Sequence, residues 1–396
     1  MARPRASSTA LRRFSGAAAD ELAILCRPEG RGADVARQAE AAYRALAETL
    51  DANQGSFRNL ATETLLLRDV RGDLPLVLDV REQVLAELGQ SATAPAPAFI
   101  QQPPVVPDTT FALAASAVIA HDRDSGSVRD VRATASCPCE GCARSGARLV
   151  RLGDQVSLHS TNIYGAGGDA FEQALDMFDA AERLLEQCGM GFHDVVRTWI
   201  HLREIDRDYD ALNRARRAFF GRCGIELKPA STGVGGAAFP DRHDFSITLH
   251  AIKAPRPLDL TPMSTPTLNE AWSYGADFSR GLRVEDVNKL MLYVSGTASI
   301  DESGRTVHED DFEAQVDRML HNVESLLAQQ GAGCENLVSG IAYLKNPSDA
   351  AVLRSYFRER GFGRFPCAIV QADLCRPELL CETEVVAMLP LPRAGA

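Results

Sequence analysis

The chain has 396 residues, room for two to three domains of about 150 residues each. It is 45% hydrophobic and 24% charged, so it reads as globular, and no apolar run approaches the roughly 20 residues a membrane-crossing helix needs. A net charge of −11, from 42 Lys+Arg against 53 Asp+Glu, argues against nucleic acid as the main partner but leaves room for an anionic small molecule held by a few local arginines.

Residues 1–19 carry Arg3, Arg5, Arg12 and Arg13 and no acid, and 1–33 reads as a loose tail and N-terminal extension. Apolar residues at Val35, Ala39, Ala42, Tyr43 and Leu46 predict a helix over 34–50. A strand over 57–70 and a helix over 76–88 follow, then a proline-rich stretch, 94–107, leading into a strand that ends near 120. The pattern returns with strands in 148–162, a helix over 171–188, a strand over 195–202, a helix over 209–220, a turn-rich stretch over 228–236 and a strand over 245–252. After a proline-rich linker between 254 and 266 it returns again, with strands in 289–300, a helix over 312–329, a strand over 337–344, a helix over 349–360, a short segment over 366–370 and a closing strand over 379–388.

Direct matches support a repeat. Residues 182–191 lie over 324–333 without a gap, and the same offset sets Val196 on Val338 and Leu202 on Leu344. A weaker match sets Phe57 on Phe192 and Leu67 on Leu202. The expected organisation is a partial unit at 34–125, a second unit at 126–257 and a third at 258–396, each a small α+β domain with helices on one face of a mixed sheet.

Ten cysteines are too sparse for a disulfide scaffold, and a reducing cytoplasm is expected. Cys139 and Cys142 form one C-x-x-C beside Cys137, but no second pair of ligands is evident, and the eight histidines are scattered. No metal and no cofactor are expected. The stretch 233–236 lacks the Lys-Ser/Thr of a phosphate-binding loop.

The closing strand holds the most informative feature. Glu382 and Glu384 stand at i and i+2 in an apolar run, so they share one strand face. Buried there, they are costly unless paired or hydrogen-bonded, or unless one is kept for chemistry. Aligning Pro255 with Pro390 sets Ile247 opposite Glu382, so the second unit lacks an acid at the matching place.

The second and third units resemble RidA (YjgF) domains, through Tyr274, Ser295-Gly296 at a strand end, Gly331-x-Gly333 after the long helix and the closing E-x-E strand. More specifically, 272–280, 295–300, 372–380 and 197–199 resemble the chorismatases, which release pyruvate from chorismate. The resemblance implies tandem RidA-like, chorismate-mutase-like α+β domains in a pseudo-trimer within one chain. It implies a monomer, with a homotrimer as the alternative, chorismate as the small-molecule partner, and no membrane or nucleic-acid partner. Glu382 is implied as the catalytic acid. Tyr274, Arg280 and Arg214 are the candidate substrate-binding groups, with Arg148 and Arg197 as weaker ones. Gly296 and Ala298 allow close approach, and Cys375 is a pocket-lining thiol. Cys375 leans toward 3-hydroxybenzoate with 4-hydroxybenzoate as co-product; Ala298 leans toward a dihydroxycyclohexadiene carboxylate. The arginine that RidA deaminases carry after the last turn is missing: Pro366 is followed by Cys367-Ala368, and Pro229-Ala230 by Ser231. This disfavours an imine deaminase. A metabolite-binding protein without turnover is the other reading.

Overall fold

A computed structural model describes residues 7–28, 33–122, 126–134, 137–270, 277–362 and 365–391. It contains three sheets built on one plan. The first comprises β1 (Ser7–Ser15), β2 (Ala19–Pro28), β3 (Leu60–Leu67), β4 (Ala98–Gln101) and β5 (Phe111–Ala120), in the order β1-β2-β5-β3-β4. Helices α1 (Val35–Ala52) and α2 (Asp73–Glu87) belong to it. The second comprises β6 (Gly126–Arg132), β7 (Gly146–Leu152), β8 (Gln155–Ser160), β9 (Val195–Leu202), β10 (Ala230–Gly235) and β11 (Phe245–Lys253), with a helical turn α3 (Glu140–Ala143) and helices α4 (Ala170–Gln187) and α5 (Ile205–Cys223). The third comprises β12 (Asp259–Pro262), β13 (Gly281–Glu285), β14 (Leu290–Ala298), β15 (Leu337–Leu344), β16 (Cys367–Gln371) and β17 (Cys381–Leu389), with α6 (Phe312–Ala328) and α7 (Ala350–Glu359). Their orders, β6-β7-β8-β11-β9-β10 and β12-β13-β14-β17-β15-β16, match the first sheet except for one extra edge strand each.

The first helix of each unit starts on an aspartate whose side chain accepts a backbone N–H: Asp34 from Arg37, Asp169 from Glu172 and Asp311 from Ala314. Each then ends in a left-handed residue before a short 3-10 turn and the next strand. The residues are Gln54 (φ 63°), Gly189 (φ 72°) and Gly331 (φ 69°), spaced as the repeat requires. All three central strands carry a bulge at the same place, between Leu60 and Thr62, opposite His250 and Ala251, and between Leu337 and Ser339.

The N-terminal segment corrects the expectation of a tail. Residues 7–28 form the hairpin β1–β2, and β2 pairs with β5 as β8 pairs with β11. Leu22, Ile24 and Cys26 alternate into the core beneath the helices of the first unit, a period-2 signal masked by the arginines around it. The stretch expected to be turn-rich at 228–236 contains the edge strand β10, paired in parallel with β9.

Each unit keeps its own apolar core under its helices, for example Phe178, Phe192 and Phe219 in the second unit. The three units then close a ring through edge strands. The N–H of Gln101 donates to the carbonyl of Ala237, Ser279 N–H to the carbonyl of Pro229, and Gln371 N–H to the carbonyl of Pro103. The helix-free faces of the three sheets line a common cavity of about 630 Å³. No helix of the described residues is long and apolar enough to cross a membrane.

Candidate active site

Glu382 and Glu384 are both 5% exposed, but their surroundings differ. Glu384 is paired on both oxygens. Arg197 Nη2, from β9 of the second unit, donates to Oε2 at 2.7 Å, and Trp199 Nε1 donates to Oε1 at 2.6 Å. This satisfies the rule that a buried charge must be matched. Glu382 has neither an ion pair nor a hydrogen bond to any of the described residues. Burial, and then the neighbouring charge of Glu384, push its pKa up to about 8, against the pull of Arg280 and Arg197. The pair is thus divided by environment into a carboxylate anchored on both oxygens and a buried carboxyl whose pKa is raised.

The backbone opposite this pair explains Gly296. β14 runs antiparallel to β17, with a register shift between Val294 and Thr297. Ser295 and Gly296 form that bulge, and the Gly296 N–H donates to Thr232 Oγ1 at 3.0 Å. A Cβ on Gly296 would stand 2.0 Å from Glu382 Oε1 and 3.1 Å from Thr232 Cγ2, so only glycine leaves the carboxyl where it is. Ala298 is paired in register with Glu382 and is buried. Thr232 also accepts a hydrogen bond from Arg197 Nη2 at 2.5 Å, which ties β10, β9 and the bulge together.

Arg280 enters just before β13, with its Nε donating to the Asn269 carbonyl at 2.8 Å and its guanidinium 5.8 Å from the Phe278 ring centre. It is 4% exposed and close enough to pull on Glu382. Cys375 is half-buried and hydrogen-bonded to Tyr209. Burial, then Glu382, push its thiol up to about 12. Tyr274 lies outside the described residues.

The placements of Arg214 and Arg148 differ from expectation. Arg214 is exposed on α5, pairs with Asp210 at 3.1 Å and lies over Phe171, away from Glu382. The inner stripe of that helix runs through Leu212, Ala215, Arg216 and Phe219, and Arg216 is the buried arginine. Its guanidinium lies 5.9 Å from the centre of Phe278, so Arg216 and Arg280 converge on one ring from two units. The helical period of α5 could have separated 216 from 214. Arg148 serves the junction with the first unit, donating to the carbonyls of Arg58 and Thr93 and pairing with Asp130. Trp199 and Thr232, which meet Glu384 and the Gly296 bulge, were missed because each reaches them across a junction between units.

Register also corrects the match between closing strands. Glu382 faces Tyr343 on β15, and the equivalent of Tyr343 on β9 is His201, which faces Ser246. The residue at the acid's place in the second unit is therefore Ser246. Ile247 points to the opposite face, into the core beneath α4. The first unit has Ala112, opposite Leu66. At the place of Glu384 the other units have Thr248 and Ala114. Only the third unit carries acids there.

The expectation that the cysteine segment lacks a complete ligand set is corrected too. The turn before β11 brings His243 against Cys137, Cys139 and Cys142, with all four donor atoms within 4.8 Å of one another.

Residues 272–389 match the family model described as Endoribonuclease L-PSP. The chain is 27% identical over 231 residues to a 3-hydroxybenzoate synthase of Streptomyces hygroscopicus, covering 52% of this chain and 66% of that protein. It is 28% identical over 224 residues to a chorismatase of Streptomyces rapamycinicus, covering 50% of this chain and 65% of that one. The chain thus spans just under two thirds of the length of these relatives. Among solved structures, a chorismatase crystal structure superposes with a TM-score of 0.57 at 16% identity, covering 83% of this chain and 93% of that one, which shows a shared fold.

Proposed function

We propose that this protein is a chorismatase, with its active site between the second and third units and Glu382 as the general acid. One observation supports the reading: a buried carboxyl with its pKa raised to about 8, with the buried Arg280 close enough to act on it and Arg216 converging with Arg280 on the Phe278 ring. Chorismate is a dianion with an enolpyruvyl ether. Cleavage starts with proton transfer from Glu382 to the terminal methylene carbon of that ether, giving an oxocarbenium ion. Water, or the neighbouring ring hydroxyl, adds to the cationic carbon, and the ether C–O bond breaks to release pyruvate. The water route leaves a dihydroxycyclohexadiene carboxylate. On the ring-hydroxyl route the attacking hydroxyl's own ring C–O bond breaks as well, so its oxygen leaves in the pyruvate; the adjacent ring proton is lost and 3-hydroxybenzoate remains, with no net addition of water.

Neither route changes the overall oxidation level of the reactants, so the acid–base and anion-binding groups of the chain suffice for it. Arg280 and Arg216 are the groups for the substrate carboxylates. The charge of Glu384 serves to keep the proton on Glu382. We favour 3-hydroxybenzoate as product, with 4-hydroxybenzoate as co-product. Support comes from the neutral Cys375 thiol beside the acid and from the similarity to a protein named 3-hydroxybenzoate synthase. The ring closed within one chain supports a monomer.

The test is incubation of the purified chain with chorismate, following pyruvate by a coupled lactate dehydrogenase assay and identifying the aromatic product by chromatography. Stoichiometric pyruvate and hydroxybenzoate are expected. Chorismate binding with no pyruvate above the uncatalysed background would overturn the reading and favour a binding protein without turnover.

A further inference from the structure

The group Cys137, Cys139, Cys142 and His243 plays no part in the proposed chemistry, and it is built in a specific way. The cysteines lie on the segment entering β7, and His243 lies in the turn between β10 and β11. His243 Nε2 stands 3.1 Å from Cys139 Sγ, 3.7 Å from Cys142 Sγ and 3.8 Å from Cys137 Sγ, and the Cys137 and Cys142 sulfurs are 3.5 Å apart. For zinc–sulfur bonds of about 2.3 Å and a zinc–nitrogen bond of about 2.0 Å, a tetrahedron has edges of about 3.5–3.8 Å. Three of these four distances, 3.5, 3.7 and 3.8 Å, fall in that range, the fourth is 3.1 Å, and all four donor atoms lie within 4.8 Å of one another. Van der Waals packing alone gives no reason for three thiols to converge on one imidazole nitrogen.

The surroundings support the same reading. His243 Nδ1–H donates to the Gly165 carbonyl at 2.9 Å, which leaves the Nε2 lone pair directed at the sulfurs, as a ligating histidine requires. The ring stacks on Tyr164 with centroids 4.6 Å apart. Arg203 Nη2 donates to the carbonyls of His243 and Ala238, fixing the turn. Gly141 lets the cysteine segment meet that turn, since a Cβ there would lie 2.3 Å from the Phe239 carbonyl oxygen. His243 is 1% exposed and Cys142 2%, so these two ligands are shielded from water, while Cys137 is partly exposed.

We propose that these four residues bind one zinc ion in a Cys₃His structural site. With four protein ligands no position is left for substrate, so the ion fastens loops and takes no part in turnover. The fastened turn also reaches the first unit. Phe239 packs edge-on against Phe99 at 6.4 Å, Asp241 pairs with Arg71, and the Ala237 carbonyl accepts from Gln101. The site therefore holds the junction of the first and second units.

The experiment is metal analysis of the full-length chain, purified without chelator from cells grown with added zinc. About one zinc per chain is expected, released in step with titration of the three thiols by a mercurial. Protein grown with Co²⁺ should show the thiolate charge-transfer and d–d absorption of a tetrahedral site. His243→Ala should lower zinc occupancy and His243→Cys should restore it. Wild-type protein with less than about a tenth of a metal ion per chain would overturn the proposal. So would an intact mass two hydrogens lighter, with Cys137 and Cys142 joined in a disulfide. Both readouts use the wild-type chain, so the test stands even where a variant fails to fold.

Discussion

The second and third units use the same segment, the one entering β7 and β13, differently. In the third unit it delivers Phe278 and Arg280 beside Glu382. In the second it delivers three cysteines to His243, and the closing strand has Ser246 where the third has Glu382. The folds are alike because strand order, bulge position and helix caps are alike, and these are set by short-range features repeated in all three copies. The chemistry differs because it depends on a few side chains that the repeat does not constrain. One junction keeps a proton on an isolated acid; the other gathers thiols for a cation.

The largest expected effect tests that contrast directly. Glu382→Gln should lower kcat for pyruvate release by about 10²–10⁴-fold, the range for a general acid, while Ser246→Ala at the matching place should leave it unchanged. Glu382→Gln should also keep the melting temperature at or above that of the native chain. The sign follows from linkage. A carboxyl whose pKa is raised on folding is most favourable below its unfolded pKa and loses that stability as pH rises through its folded value of about 8. The glutamine variant should therefore gain on the native chain between about pH 4.5 and pH 8, as seen by urea denaturation across pH. A large drop in stability would make Glu382 structural.

A smaller effect separates the two acids. Glu384→Gln removes the charge that raises Glu382, so the alkaline fall of the pH–rate profile should move to lower pH, by about one unit. Some loss of stability should accompany it, because Arg197 is left without its buried partner. A profile that does not move would break the link between the acids. The smallest effects concern α5. Arg216→Ala should raise KM for chorismate about tenfold, the scale of one charged hydrogen bond, with little change in kcat. Arg214→Ala should change both KM and stability within about 0.5 kcal/mol. The reverse result would restore Arg214 as the substrate-binding arginine.

Much of this was legible from residue order. The three-fold repeat, the long helices and the strand carrying Glu382 and Glu384 follow from period, caps and spacing, which act over a few residues. So does the conclusion that the third unit keeps an acid that the second lacks. Tertiary structure decided the rest. Whether Ser246 or Ile247 stands at the acid's place depends on pairing register, and a one-residue slip turns a strand side chain to the other face. The hairpin β1–β2 needed a sheet to join before its alternation stood out from its arginines. Arg197 and Trp199 stand in the stretch 197–199 that the resemblance marked, but their pairing with Glu384, like the bond from the Gly296 bulge to Thr232, forms only across the junction between units. His243 lies 101 residues from Cys142 and 104 from Cys139, and the ligand set became complete only when the turn before β11 packed on the segment before β7. Local preference thus determined the elements and their repetition, and packing between distant segments determined the chemistry, because the acid's pKa and the ligand geometry both depend on what the fold brings within a few ångströms.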